Sequence, residues 1–285
     1  MGLVQFLPDG TLAGACADGA VRVWDAEQGT LKRTIPLHGD HIRGVAVSAD
    51  GALAAYAAGD NSVGLVDLAS GAAVRKFTGH TQPVSALAFS RNARALVTAA
   101  GDHTVRFWEV ASGKLRFTMD DGVGETGHIA VSPDGATAVT ANSDTDLRVC
   151  SVHTGELVRK IVELKLATFA LAYSPDGKTL ASGGADKTVT LWDTRAWSIA
   201  RQLAGQKEPV SALAFSGDGM RLASGGQNEE SSKYPAHAWL FDAASGRLKQ
   251  SWQSGQTVRS LAFSPDGKWL WMADNQTTVK VWPVA

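Results

Sequence analysis

A seven-fold repeat constrains this chain more than any other feature. A turn of the Pro-Asp-Gly type closes at Gly10, Gly51, Ala93, Gly135, Gly177, Gly219 and Gly267, at successive gaps of 41, 42, 42, 42, 42 and 48 residues. The clearest copy runs from Leu171 to Asp193 and reads as three short strands, LAYS, TLASG and TVTLWD. Val, Thr, Tyr and Trp fit a pleated surface, and Pro, Asp and Gly supply the backbone angles of the reversals between strands. Nowhere do apolar residues recur at the three-and-four spacing of an amphipathic helix, so no helix is expected.

A period near 42 with strand–turn–strand content matches four strands per unit, the size of a propeller blade. The expected fold is all-β: a seven-bladed β-propeller of four-stranded antiparallel blades, forming a single domain over 1–285. Its units fall at approximately 1–37, 38–77, 78–118, 119–161, 162–203, 204–252 and 253–285. The last blade is expected to lack its outer strand, leaving Val281 and Trp282 on an open edge that invites strand addition. Unit four is worn, with Cys150 in the tryptophan position. Unit six carries an excursion, GQNEESSKYPAH, that accounts for the gap of 48.

Composition narrows the class further. Apolar residues at 44% and charged residues at 19% give a globular balance, and a formal net charge of -1 excludes a general nucleic-acid binder. No apolar run approaches the roughly 20 residues of a membrane span, and no secretory leader opens the chain. A cytoplasmic, non-membrane protein is expected. Cys16 and Cys150, set in units one and four, are expected to be free thiols.

Several residue groups resemble chemistry and read better as structure. Asp18, Asp60, Asp102, Asp144 and Asp186 are one turn position repeated five times, not paired acids. GVGETG, Gly122 to Gly127, spells a dinucleotide loop, but a strand follows it where a phosphate-binding helix is needed. His38 with His41, and Asp144 with Asp146, lack the further ligands of a metal site. No metal or cofactor is expected. Trp197 is unusual in taking the loop position held by Gly29, Gly71, Gly113 and Gly246.

With Trp24-Asp25, Trp192-Asp193 and Gly79-His80 in view, the chain resembles the WD-repeat β-propeller family over its whole length, and its SPDG turns resemble bacterial members. The resemblance implies a buried hydrogen-bond chain of histidine, Ser or Thr, turn aspartate and tryptophan. Only unit three holds all four, as His80, Thr98, Asp102 and Trp108. Unit two keeps His38 and Asp60 but has Tyr56 and Val66. Unit five keeps Ser182, Asp186 and Trp192, with Leu164 in the histidine position; units six and seven place Gln206 and Ser254 there. His80, Asp102 and a hydroxyl also spell a hydrolytic triad, but a nucleophile needs an open reacting side and oxyanion donors. Thr98 alternates into the blade, so a structural role is expected.

The family also closes its ring by letting one terminus complete the other terminus's blade. Met1 falls in mid-repeat, so the chain reads as a truncated frame or a piece of a longer protein. The resemblance implies a non-enzymatic scaffold for protein or peptide partners, as a monomer. The alternatives are an enzyme with its site in the channel, or a sensory or structural domain of a larger protein. Loops after the fourth and second strands would surround the channel mouth, ringed by Gly2, Arg43, Ser85, Gly127, Phe169, Ser211 and Arg259. Asp120, Asp121 and Glu125 are expected across from Arg43 and Arg259, making the mouth electrically lopsided. The candidate partner-binding residues are Arg43, Arg259 and Phe169, with Lys233, Tyr234 and His237 from the excursion.

Overall fold

Along Thr104–Glu109, Val105 and Phe107 are buried while Thr104 and Arg106 are half-exposed, the two-residue alternation of a pleated strand. The structure is a computed structural model. It describes residues 3–284 apart from 8, 17–18, 27, 38–41, 123–125, 143–144, 163, 165, 204, 228–234 and 277. Among the described residues every regular element is a strand, and no helix is long and apolar enough to cross a membrane. The fold is all-β with seven blades: six antiparallel sheets of four strands and a last sheet of three, each taken in chain order. Blade three comprises Val84–Phe89, Ala95–Ala100, Thr104–Glu109 and Leu115–Asp120. Blade seven comprises only Val258–Phe263, Trp269–Asp274 and Val279–Pro283.

The chain divides into two compact units, Leu7–Leu164 and Lys165–Ala285, the second including Leu3–Phe6. In the first, Val63, Leu65 and Phe77 of blade two pack on Leu96 and Trp108 of blade three. The opposite face of blade three, with Val97, Val105 and Phe107, packs on Ala138, Cys150 and Val152 of blade four. The second unit repeats this plan: Val189, Leu191 and Leu203 meet Val210, Leu222 and Phe241, and Leu240 meets Val258, Leu270 and Met272. A lone sheet cannot bury both of its faces, so each blade needs its neighbours. Each large side chain so enclosed contributes about 1.5–3 kcal/mol.

Outer strands add polar clasps between blades. The Arg33 guanidinium donates to the Leu68 carbonyl at 2.7 Å, and Arg75 one period later donates to Ala111 and Ser112 at 2.6 and 2.9 Å. A recurring serine staples the first turn of the blade. Ser174 Oγ donates to Asp176 at 2.7 Å and accepts the Thr179 amide at 3.0 Å, and Ser48, Ser132, Ser216 and Ser264 do the same.

Six described residues other than glycine occupy left-handed backbone, Ala93 and Trp197 among them. Ala93 has φ 53° where Gly51, Gly135 and Gly177 lie at 71–72°, and Trp197 has φ 53° where Gly29, Gly71 and Gly113 lie at 65–75°. A Cβ in this region costs roughly 1–2 kcal/mol, partly offset by the greater unfolded-state freedom of glycine. Ala93→Gly is therefore expected to stabilise the protein by up to about 1 kcal/mol, read as a higher denaturation midpoint at unchanged slope.

Candidate functional site

Blade three holds a closed polar chain beneath the loop that enters it. Asp102, in the turn between the second and third strands, accepts the Thr81 amide at 3.0 Å, the Thr104 amide at 3.1 Å and the Thr104 hydroxyl at 2.7 Å. His80 Nδ1 lies 2.9 Å from Asp102 Oδ2, and Nε2 lies 2.8 Å from Thr98 Oγ1. Trp108 Nε1 donates to the same hydroxyl at 2.8 Å. The partners assign one direction: indole to hydroxyl, hydroxyl to Nε2, Nδ1–H to carboxylate. Burial lowers the His80 pKa despite the pull of Asp102, so the ring is neutral at pH 7. Burial alone would raise Asp102, but the Thr104 hydroxyl, the Thr81 amide and His80 outweigh it and hold the carboxyl at about 2. Thr98 is 0% exposed and its hydroxyl faces Trp108 and His80, so no substrate atom reaches it.

Blade four replaces this chain with another, built on an acid. Its strands are Thr126–Val131, Thr137–Asn142, Leu147–Ser151 and Leu157–Ile161. Asp121 was expected on the acidic side of the mouth; instead it is 0% exposed and turned into the blade. It accepts hydroxyl bonds from Thr126 and, at 3.0 Å, from Thr140, and its carbonyl accepts Asn142 Nδ2 at 2.7 Å. Arg148 Nε lies 3.9 Å from its carboxylate. Burial pushes the Asp121 pKa up against these bonds. The chain separation betrays this role: Asp121 stands 19 residues before Thr140, as His80 stands 18 before Thr98. Asp120 is exposed and Glu125 lies outside the described residues. Cys150, at the Trp108 position, is a buried free thiol raised to about 12 by burial, then by Asp121. The Cys16 side chain, His38, His41, Asp18 and Asp144 lie outside the described residues.

The other blades keep fragments. In blade five, Trp192 donates to Ser182 at 2.8 Å. In blade two, Tyr56 takes the hydroxyl position, and a Cβ at Gly64 would strike its ring. Asp60 there is exposed and bonded to Lys76 and Ser62. In blade six, Phe241 faces Leu222 as Trp108 faces Leu96, so the indole donor is missing and Ser224 Oγ is left without a protein partner. Gln206 Nε2 and Oε1, Glu208 Oε2 and Trp239 Nε1 are also buried without protein partners; groups of this kind are met by ordered water.

The candidate contact residues fall in different settings. Arg43 and Arg259 are exposed, and Phe169 is half-buried in the first strand of blade five. His237 Nδ1 lies 3.0 Å from Glu208 Oε1, a buried carboxylate missed in the sequence, and its ring sits 5.8 Å from Trp239. Lys233, Tyr234 and Gly2 lie outside the described residues. Two positions of the expected mouth ring, both half-buried, tie blades together through their hydroxyls. Ser85 Oγ donates to the Thr126 carbonyl at 2.5 Å, and Ser211 Oγ, three periods on, donates to the Val258 carbonyl at 2.6 Å.

No curated protein matches the sequence. The repeat family described as WD domain, G-beta repeat matches residues 3–25, 71–109, 165–193, 197–229 and 246–283, more than half of the chain. Seven blades built on one strand–turn–strand plan agree with that match, and the chain belongs to the WD40 repeat family.

Proposed function

We propose that the protein is a non-catalytic scaffold that holds protein or peptide partners on the loops entering each blade. The observation that carries this reading is the way those loops are anchored. In blade three the entering loop is tied to the turn below by the Thr81 amide and His80, both bonded to Asp102. In blade four the same segment is tied by Asp121. A rigid frame with variable tips suits recognition, because little ordering entropy is lost on binding. WD40 propellers are commonly interaction scaffolds, which supports the same reading.

Each within its own unit, the exposed guanidiniums of Arg43 and of Arg259 favour an acidic segment, and Phe169 offers apolar contact. With Asp121 buried, the acidic half of the expected field is weakened. The test is to capture a partner, then titrate it against Arg43→Glu and Arg259→Glu. Affinity should fall at least about tenfold for a contact of roughly 1.4 kcal/mol, and the salt dependence should flatten. Unchanged affinity and salt response in both variants would remove the loop face from consideration.

A further inference from the structure

Blade two lacks a side chain that three other blades carry at the same place. Its second, third and fourth strands are Leu53–Ala57, Val63–Asp67 and Ala73–Phe77, and across them Tyr56, Gly64 and Lys76 stand in one row. In blades one, three and four the middle of that row is an arginine: Arg22 opposite Gly14, Arg106 opposite Thr98 and Arg148 opposite Thr140. By strand alternation the row in blade two lies on the face turned away from blade three, because Leu65 and Phe77 beside it pack on Leu96. On that face lies an open recess of about 360 Å³, within the size range of small-ligand sites, lined by Tyr56, Ser62, Gly64, Val74 and Lys76.

The acceptors that hold the guanidinium elsewhere remain in blade two. In blade three, Arg106 Nη2 lies 3.9 Å from Asp102 Oδ2, and its Nε donates toward Thr104 Oγ1 at 3.4 Å. Thr104 gives both its amide and its hydroxyl to Asp102 Oδ1, and Ser62 gives both to Asp60 Oδ1 in the same way. Asp60 Oδ2 accepts only Lys76 Nζ, at 2.6 Å, and so keeps a lone pair. Lys76 does not close the site. In blade four, Lys160 and Arg148 share Asp146 Oδ2, at 2.6 and 3.7 Å. A Cβ at Gly64 would run into the Tyr56 ring, so this blade has no room for an arginine of its own at that position.

We propose that the recess receives the guanidinium of an arginine carried by a partner protein, set against the Tyr56 ring and bonded to Asp60 Oδ2 and Ser62 Oγ. The other blades name the guest, since the same acceptors face an arginine of the chain itself in blade three. A planar cation between an aromatic face and a carboxylate gains from both. The site lies on the outer three strands, apart from Arg43 ahead of the first strand Val45–Val47, and takes the opposite charge.

The probe is N-acetyl-arginine methylamide, titrated into the whole protein at constant ionic strength, with the Gly64 and Lys76 amides read by NMR. Both should shift and saturate at millimolar probe. The citrulline analogue keeps the shape without the charge and should bind at least tenfold more weakly. Asp60→Asn should also cost at least tenfold while leaving the unfolding midpoint near wild type, because the Asp60 side chain is 56% exposed. Lys76→Met removes the rival cation and should tighten binding several-fold. Three results would each overturn the proposal. One is no shift at any millimolar concentration of the arginine probe. Another is equal binding of the citrulline analogue. The last is acetate binding in preference to arginine and lost in Lys76→Met, which would make the recess an anion site.

Discussion

Asp121→Ala is expected to destabilise the protein by about 3–5 kcal/mol, the cost of removing one partner from a buried charge pair. Arg148, which also lies 3.7 Å from Asp146, would lose the Asp121 carboxylate, and the hydroxyl of Thr140 would lose its acceptor in a fully buried place. Asp121→Asn keeps an acceptor for Thr140 and should lose far less, because burial already raises the Asp121 pKa and so makes its charge costly. Adding Arg148→Met to the alanine variant should recover part of the loss, since an apolar replacement removes a buried cation that has lost one of its carboxylates. Chemical denaturation of the four proteins checks this. Equal midpoints for the alanine and asparagine variants would show that the hydrogen bonds of Asp121 do not matter.

His80→Ala should cost about 1–3 kcal/mol at pH 7, because Thr98 and Asp102 keep their burial and lose a partner. Its signature is the pH dependence. His80 has a lowered pKa in the folded protein, so below about 6.5 the unfolded chain binds the proton first. Acid therefore favours unfolding of the wild type, and the gap between wild type and variant should narrow from pH 7 toward pH 5. Asp102, held at about 2, stabilises above its unfolded value near 3.9, and that contribution disappears as pH falls through the folded value. A second acid loss confined to pH 4 and below should follow. A gap that stays constant from pH 7 to 5 would mean that His80 does not titrate as this environment requires.

The blade plan was legible because burial in a sheet has a period of two residues and the blade itself has one near 42. Those periods place Thr98, Cys150 and Trp192 by counting alone. They also give the three strands of blade seven, whose patterns follow Gly255. The residues of the blade-three chain were legible too, because each is a polar type at a counted distance from the turn.

What counting could not decide is the direction of side chains in loops. Asp121 sits in a loop and carries charge, so the sequence alone places it in solvent. Only packed neighbours, the hydroxyls of Thr126 and Thr140 and the guanidinium of Arg148, make its burial bearable. Ser85 and Ser211 fall on the expected mouth ring, yet their hydroxyls close on carbonyls of the next blade. Strand register is a local property of the chain, fixed by alternation. Whether a polar group meets water or another buried polar group depends on residues from 5 to 47 positions away, and tertiary packing settles that.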